Sequence, residues 1–484
     1  MSLGEFTMGF RIVASLISFF AFAVPLHAQE SPDNRSLVLE AQDLLYAMGY
    51  PVGKPDGKFG GKTAAALKEE TGIDLKEVNS DTLKPLYESF VSDVVQKSTK
   101  LDWQYRAAEF EISGGNNPNV FVGLSTLDDL ANTGFNVVTF DFHCDRGYAI
   151  EKSATAASPL ERQFGCDLGY AFYNDSSKDA LQIYIDEARK RNLQINLKPT
   201  FLDITSSGQR YGYKFGEVPV NEFLYGDMPK WDGYVPRILK IAEFAEKNKI
   251  EFITIGTEFG NLNRDLMLRN DWKEIIAKVR SVYHGKLIYA HVLGSEHSLT
   301  DLEKLVDFAK NVDFIAVNFF PNLILDGRKY YTSDEVQHGL TDAELDGKNL
   351  ITALSDFSQK TGNKLIMSEV SFFTWRGSFN WMFRNTCDFD NAGKKDWIFT
   401  KGPLAVKEPS VAASLVLASG WMNAFSKLPF VYGASHTFWY QTWVDLNPDD
   451  SFVLSSGVKE CGKVIANNDY LKTILRHYYL GSDG

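Results

Sequence analysis

The sequence predicts an α/β protein built as a (β/α)8 TIM barrel and preceded by a small helical domain. Three observations favour this fold class. Short β-branched runs alternate with amphipathic helices from about residue 105 onward. Eight such strand–helix units over about 380 residues fit a barrel with long loops. A doubly wound open sheet is the alternative, but no glycine-rich phosphate loop follows any of the strands.

The individual strands are predicted from buried apolar runs. Seven of them lie at 137–142, 193–201, 252–258, 286–292, 314–320, 364–372 and 431–440, and an earlier strand falls within 110–122. The intervening segments carry apolar residues at helical spacing, as in Val235, Ile238, Leu239 and Ala242. Residues 300–303 also predict a capping box at the start of one helix.

Composition excludes several classes of protein. The chain has 484 residues, with 44% hydrophobic and 23% charged, which is the balance of a globular protein and not of a disordered or coiled-coil chain. A net charge of -12 without a long basic run argues against binding nucleic acid. The 35 Phe, 21 Tyr and 9 Trp fill cores or line a sugar-stacking cleft, and composition does not choose between the two.

The N-terminus has the features of a secretory signal peptide over residues 1–28. Arg11 precedes a 13-residue apolar run, and Ala28 provides a small residue at the cleavage site. The run is too short to span a bilayer, so no membrane anchor is expected after cleavage. Met8 fits a natural start, which would make residues 1–7 a cloning remnant. A periplasmic or secreted protein is expected; an N-terminal helix kept on the protein is the alternative.

Four cysteines indicate disulfides and not a metal site. Cys144, Cys166, Cys387 and Cys461 form no C-x-x-C pair and have no histidine at zinc-ligand spacing. In an oxidising compartment an even number favours disulfides. Of three possible connectivities, Cys144–Cys166 with Cys387–Cys461 is preferred because the first two are close in sequence.

Residues 36–90 have turn and helix signals of their own, with Asp56-Gly57 between two helical stretches. Met48-Gly49-Tyr50, the DGKFG at 56–60 and the KTAAAL at 62–67 resemble the peptidoglycan-binding-like three-helix domain. Where members usually have Phe-Gln, this chain has Glu69-Glu70. The resemblance implies binding of cell-wall glycan, and a packing module is the alternative. Residues 91–104 are predicted to be a linker and 105–484 the barrel domain.

Two strands end in a carboxylate that no neighbouring charge explains. Glu258 ends the fourth predicted strand and Glu369 lies in the seventh. Barrel enzymes place their chemistry at the C-terminal ends of the strands, where strands four and seven face each other. Two carboxyl groups about 5–5.5 Å apart suit a retaining glycosidase, with one as acid/base and the other as nucleophile. This chemistry needs no cofactor or metal.

Five segments together resemble the retaining (β/α)8 glycoside hydrolases, most closely family 113, which includes β-mannanases: 196–200, 255–258, 272–290, 312–321 and 367–369. The resemblance implies Glu258 as acid/base, Glu369 as nucleophile and Trp439 as the aromatic floor under the sugar. Two positions depart from the family pattern. His291-Val292 follows Ala290 where relatives have Asn-Trp, and Phe319 replaces a tyrosine that orients the nucleophile.

Further polar and aromatic residues at strand ends and in loops are candidates for binding a polysaccharide substrate. They are Asp141, His143, Lys198, His291, Asn318, Trp375, His436 and Trp443. Structural roles remain open for each of them. Three functions stay open: a hydrolase of β-mannan-like, β-glucan or bacterial exopolysaccharide, a non-catalytic glycan-binding protein on a barrel scaffold, and a peptidoglycan hydrolase.

Overall fold

Eight parallel strands close into a barrel, with each strand paired to the next in sequence and β8 paired to β1. The strands are β1 Tyr105–Glu111, β2 Val137–His143, β3 Gln194–Thr200, β4 Phe252–Thr257, β5 Lys286–Leu293, β6 Phe314–Phe319, β7 Leu365–Val370 and β8 Val431–Thr437. This confirms the predicted (β/α)8 fold class.

The computed structural model describes most of the barrel and the N-terminal helices. The residues it describes are 34–74, 76–111, 124–144, 159–164, 166, 168, 180–201, 220–226, 233–259, 270–293, 298–319, 328–370, 372, 376, 410–437 and 469–481. Asp33–Gly484 form one compact unit. The predicted signal peptide lies outside the described residues.

The first strand was misplaced by the sequence pattern. We predicted it within 110–122, but β1 begins at Tyr105. Its residues Ala107, Ala108 and Glu109 are small or charged, so the run lacks the β-branched signal that marks the other strands. The other seven predicted strands overlap the observed ones.

The described helices are α1 Asn34–Ala47, α2 Gly61–Thr71, α3 Ser80–Lys97, α4 Leu124–Thr133, α5 Pro159–Phe164, α6 Ala180–Lys190, α7 Val220–Tyr225, α8 Tyr234–Lys247, α9 Asp271–Arg280, α10 Ser298–Glu303, α11 Val306–Ala309, α12 Ser333–Thr341, α13 Leu350–Thr361, α14 Val411–Ser426 and α15 Asp469–Leu480. A short antiparallel pair, Glu344–Leu345 with Lys348–Asn349, precedes α13. No helix in these stretches is long and apolar enough to span a membrane.

The predicted capping box at 300–303 is wrong. Thr300 lies inside α10, which begins two residues earlier at Ser298, and its backbone N–H donates to Asp346 Oδ2 at 2.9 Å. A capping box is found instead at the start of α12, where Thr332 and Glu335 cap each other's backbone N–H. The Thr-x-x-Glu spacing therefore marks a helix start at 332–335 but not at 300–303.

Helices α1–α3 pack around a buried glutamine and a shared carboxylate. Gln42 accepts hydrogen bonds from the backbone N–H groups of Asp56 and Gly57, at 3.0 and 2.9 Å, and so fixes the DGKFG turn. Glu70 accepts hydrogen bonds from the side chains of Tyr50 and Ser89. The Glu69-Glu70 departure from the family pattern thus supplies a carboxylate that joins α2 to α3 and to the turn after α1.

The predicted 91–104 linker differs from the structure. Helix α3 runs through Lys97, and the residues after it, Leu101 and Trp103, are buried in the core. The polar residues at 92–100 had indicated a connection, but they form the exposed face and end of an amphipathic helix. The chain therefore passes from α3 into β1 without a free linker.

Helix α1 is buried against the barrel as well as against α3. Asp43 forms a bidentate ion pair with Arg376, at 2.6 and 3.0 Å. Glu40 Oε1 accepts from the backbone N–H of Ala412 at 2.6 Å, near the start of α14. Eight consecutive residues, 38–45, are buried. The N-terminal helices are therefore part of the same packed body as the barrel.

One predicted disulfide lies in the described residues. Cys144, directly after β2, is bonded to Cys166 with an S–S distance of 2.04 Å. This confirms the preferred pairing for these two cysteines. The second predicted pair, Cys387–Cys461, lies outside the described residues.

Candidate active site

The barrel interior changes from apolar to polar along the strands. Its lower part is filled by side chains such as Ala107, Val137, Phe252 and Ile288. Because successive side chains of a strand point to opposite faces, the interior residues recur at every second position. Continuing that alternation brings Glu109 on β1, Asp141 on β2, Lys198 on β3 and Asn318 on β6 into the upper barrel.

Lys198 is the centre of a buried cluster of carboxylates. Its ammonium donates to Glu109 Oε1 at 2.5 Å and to Glu369 Oε1 at 2.6 Å, and it lies 3.4 Å from Asp141 Oδ2. The exposed fractions are 2% for Lys198, Glu109 and Glu369 and 4% for Asp141. Thr200 donates to the other Asp141 oxygen at 2.7 Å. The Lys198 ammonium is therefore the shared cation of three almost fully buried carboxylates.

The side-chain amide of Asn318 links the two predicted catalytic carboxylates. Its Nδ2 donates to Glu258 Oε1 at 2.9 Å and to Glu369 Oε1 at 2.7 Å. Ser368 donates to Asn318 Oδ1 at 2.7 Å, which fixes the orientation of the amide. The Oε1 atoms of Glu258 and Glu369 thus accept hydrogen bonds from the same nitrogen. The cluster extends from Glu109 through Lys198 and Glu369 to Glu258.

Both carboxylates stand on unusual backbone. Glu258 has φ +54° and Glu369 has φ +52°, in the left-handed region that side-chain-bearing residues rarely adopt. The β4–β5 register shifts just before Glu258, between Thr254 and Gly256, and the β7–β8 register shifts opposite Glu369. Such bulges re-aim side chains, and residues held in strained conformations cluster at functional sites.

Burial and like charges raise the pKa values of the carboxyl groups in the cluster. Burial raises the pKa of Glu369 to about 7, with the nearby Glu258 charge raising it further and Lys198 opposing the shift. Burial also raises the pKa of Glu109 to about 8, again opposed by Lys198. The pKa of Glu258 is raised, mainly by burial and against the Asn318 hydrogen bond. Perturbed carboxyls that converge in a barrel mouth indicate a catalytic site.

Two family models match parts of the chain. Residues 155–395 match the family model for Glycoside Hydrolase Family 113, and residues 34–69 match the model for a putative peptidoglycan binding domain. The chain contains a glycoside hydrolase family 113 domain. No curated protein matches the chain.

Several solved structures are similar to this chain. One is a complex of a family 113 β-1,4-mannanase, at 14% identity and TM-score 0.47, covering 79% of this chain and 99% of that chain. Another is a family 113 β-mannanase from Alicyclobacillus acidocaldarius in complex with ManMIm, at 15% identity and TM-score 0.44, covering 79% and 98%. A chitinase from Bacteroides thetaiotaomicron follows at 10% identity and TM-score 0.39, covering 80% and 98%.

The barrel brings some of the predicted binding residues together and places others elsewhere. Asp141, Lys198 and Asn318 lie in the cluster with the two glutamates. His291 Nε2 contacts the carbonyl of Ser298 at the start of α10, at 2.9 Å. His436 Nε2 contacts the Tyr479 hydroxyl of α15 at 2.6 Å, and burial lowers its pKa to about 3.

The two histidines thus lie toward the helices that surround the barrel and are not brought to the cluster. Their strand neighbours Ala290 and Ser435 take the interior positions instead. The side chain of His143 and the residues Trp375, Trp439 and Trp443 lie outside the described part of the structure.

Phe319, which replaces the expected tyrosine, does not face the site. Its ring packs against Phe425 and Trp421 of α14, with ring centroids 5.2 and 6.4 Å apart. The interior position on β6 belongs to the preceding residue, Asn318, which contacts the nucleophile candidate directly. The departure from the family pattern therefore concerns the helix layer, and an amide takes the orienting contact.

Two residues of the cluster were missed by sequence reasoning. Glu109 was overlooked because β1 was placed too late in the chain, although alternation from Tyr105 through Ala107 leads to it. Ser368 stands directly before Glu369 and was treated only as part of the strand. Within the described residues, no group of three or more His, Cys, Asp or Glu side chains could hold a metal ion.

Proposed function

We propose that the protein is an exported, retaining glycoside hydrolase that cleaves a polysaccharide by double displacement. In this proposal Glu369 is the nucleophile and Glu258 is the general acid/base. Family membership supports the glycoside hydrolase class, and the arrangement of the two carboxylates supports the mechanism.

The observation that carries the proposal is the amide nitrogen shared by Glu258 and Glu369. The two Oε1 atoms lie 2.9 and 2.7 Å from Asn318 Nδ2, so their separation cannot exceed the sum of these distances. An inverting pair needs about 6.5–9.5 Å to admit a water, whereas a retaining pair stands about 5–5.5 Å apart. The shared nitrogen therefore favours the retaining mechanism.

The surroundings of the two glutamates support different roles. Lys198 and Asn318 hold Oε1 of Glu369, while among the described residues its Oε2 has no hydrogen-bond partner. A carboxylate with one fixed oxygen and one free oxygen is arranged for attack. Glu258 is partly exposed, which suits a group that exchanges its proton with the leaving group and water.

The reaction then follows from these positions. Protonated Glu258 donates its proton to the glycosidic oxygen as that bond breaks, and Glu369 Oε2 attacks the anomeric carbon to form a glycosyl ester. Glu258, now ionised, accepts a proton from water, which attacks the same carbon and releases Glu369. The proton taken from water restores the acid form of Glu258, and cleavage of the ester restores the Glu369 carboxylate, so both groups return to their initial states.

Location and substrate complete the proposal. The signal-like residues 1–28 and the Cys144–Cys166 disulfide support export to the periplasm or the cell exterior. The family resemblance makes β-mannan the first polymer to test, followed by β-glucan and bacterial exopolysaccharide. The match at 34–69 adds peptidoglycan strands, which residues 36–90 would bind as a domain in front of the hydrolase at 105–484.

The test is product release from these four polymers, with the stereochemistry of the first product read by NMR. We expect retained anomeric configuration from one polymer and an activity loss of about 10³-fold or more in Glu369→Ala and Glu258→Ala. Azide should restore turnover of Glu258→Ala on an activated substrate and give a glycosyl azide of retained configuration. Glu303→Gln, which removes an exposed carboxylate paired with Lys348, is the matched control.

Inverted product would contradict the proposal directly. A fluorinated sugar that accumulates as an ester on a residue other than Glu369 would reassign the nucleophile.

A further inference from the structure

Glu109 is buried beside the nucleophile candidate and has no part in the double displacement. It stands near the end of β1 and contacts the ammonium of Lys198 at 2.5 Å, while Ser435 of β8 lies 3.4 Å from its other oxygen. We propose that Glu109 is a positioning residue, which holds the Lys198 ammonium against Glu369. This inference rests on the proposed function, because it assigns Lys198 to the support of the nucleophile.

The geometry around Lys198 carries the inference. Its ammonium has three N–H donors and three carboxylate neighbours, which come from different strands: Glu109 on β1, Asp141 on β2 and Glu369 on β7. Three contacts in three directions fix a nitrogen that otherwise stands on a flexible four-carbon stem. Without Glu109, the contacts left are the nucleophile and Asp141, at the longer distance of 3.4 Å.

Charge gives Glu109 a second effect on the nucleophile. Glu109 and Glu369 compete for one ammonium at almost equal distance. Burial raises the pKa of Glu109 to about 8 against the opposing charge of Lys198, and the Glu369 charge raises it further, so ionisation of either acid opposes ionisation of the other. The other groups that face the ammonium are Asp141 and, through Asn318, Glu258.

Two substitutions separate position from charge. Glu109→Gln keeps an oxygen that accepts from Lys198 but removes the competing negative charge. Glu109→Ala removes both. The matched control is Glu303→Gln, which breaks an exposed glutamate–lysine pair of 2.6 Å on the surface.

We expect Glu109→Ala to lower kcat about tenfold or more with KM nearly unchanged, because the lysine loses its anchor. Glu109→Gln should restore most of the plateau kcat. It should also move the acid limb of kcat/KM to lower pH by about half a unit or more, because Glu369 ionises more easily without a competitor.

An activity-independent readout accompanies the kinetics. In protein labelled with 13C at the glutamate carboxyl carbons, the Glu369 signal is assigned by its loss in Glu369→Gln and titrated in wild type and Glu109→Gln. A lower midpoint in Glu109→Gln is expected. If both variants are merely less stable, with kcat, acid limb and midpoint unchanged, Glu109 is a structural residue and the inference is overturned.

Failure of the proposed function would give a different set of results. If wild type releases no product from any polymer and no label forms on Glu369, the retaining mechanism is lost. The NMR midpoint still decides whether Glu109 controls the ionisation of Glu369 through Lys198.

Discussion

Two buried ion-pair sites of this molecule are built in opposite ways. Arg376 and Asp43, which join the region after β7 to helix α1, form a bidentate pair of one guanidinium and one carboxylate at 2.6 and 3.0 Å. Lys198, in the barrel mouth, serves Glu109, Asp141 and Glu369 at once. The first site joins one guanidinium to one carboxylate through two hydrogen bonds, and the second crowds three acids around a single base.

The two arrangements suit different roles, the Arg376–Asp43 pair a structural one and the Lys198 cluster a chemical one. A planar guanidinium and a carboxylate satisfy each other's geometry, which suits a permanent contact between two packed elements. A crowded site cannot keep all its acids ionised, so their pKa values rise toward neutrality, where proton transfer is useful. We therefore expect changes at Arg376 to alter stability and changes at Lys198 to alter turnover.

The largest expected effect comes from Lys198→Met. Without the ammonium, Glu369 has lost its main stabilising charge and stays protonated at pH 7. We expect kcat/KM at pH 7 to fall about 10²–10³-fold, as for removal of a key electrostatic contact. Turnover is measured beside Lys348→Met, which removes an exposed lysine paired with Glu303. A loss of less than about tenfold would show that the crowded cluster does not control the nucleophile.

Arg376→Met tests the matched pair. Removing one partner takes the guanidinium away from the buried Asp43 carboxylate, so the free energy of unfolding should fall by about 3–5 kcal/mol in chemical denaturation. The double variant Asp43→Leu with Arg376→Met should recover much of that loss, because neither charge of the pair is then left buried alone. Turnover of the folded fraction should stay within about threefold of wild type, as expected for a contact outside the chemistry. Lost turnover with normal stability would place Arg376 in the site instead.

In the Lys198 cluster, activity and the stability contribution of Glu369 should change with pH in opposite directions. Glu369 has a pKa of about 7, so kcat/KM should decline about tenfold per unit as pH falls below 7 and the nucleophile is protonated. Its folded-state pKa lies above the unfolded value of about 4.3, so its stability contribution is complete below that value and is lost as pH rises through 7.

This stability trend is measured by difference. The unfolding free energy of wild type minus that of Glu369→Gln should decrease between pH 5 and pH 8, because the glutamine does not titrate. A difference that does not change with pH would mean that the cluster keeps Glu369 at its ordinary acidity.

The barrel and the convergence of Glu258 and Glu369 in its mouth could be predicted from sequence, while the network around these two carboxylates could not. Apolar runs that end in Glu258 and Glu369 predicted both the strands and the two carboxylates at their ends. Glu109 was missed because β1, with Ala107 and Ala108, has no β-branched signal. His291 and His436 were placed in the cleft from their nearness to strand ends, but the alternation of side chains directs both toward the helices. A shift of one residue decides which face a side chain takes.

The N-terminal helices show the same limit for long-range contacts. Residues 34–69 carry enough local signal to be recognised as a domain, and the sequence left its role open between binding and packing. The pairing of Asp43 with Arg376 joins residues more than three hundred positions apart. No local pattern encodes such a contact, because it arises only when both elements are folded.

The smallest expected effect comes from Ser368→Ala, and it sharpens the distinction between charge and geometry. Ser368 donates to Asn318 Oδ1 at 2.7 Å and so orients the amide that both glutamates share. Loss of one buried hydrogen bond, about 1 kcal/mol, should lower kcat about fivefold. The acid limb of kcat/KM should not move, because no charge is removed, whereas it moves in Glu109→Gln. If the limb moves equally in both variants, the Asn318 amide and not the lysine charge sets the ionisation of Glu369, and the crowding of carboxylates around Lys198 is then a feature of packing.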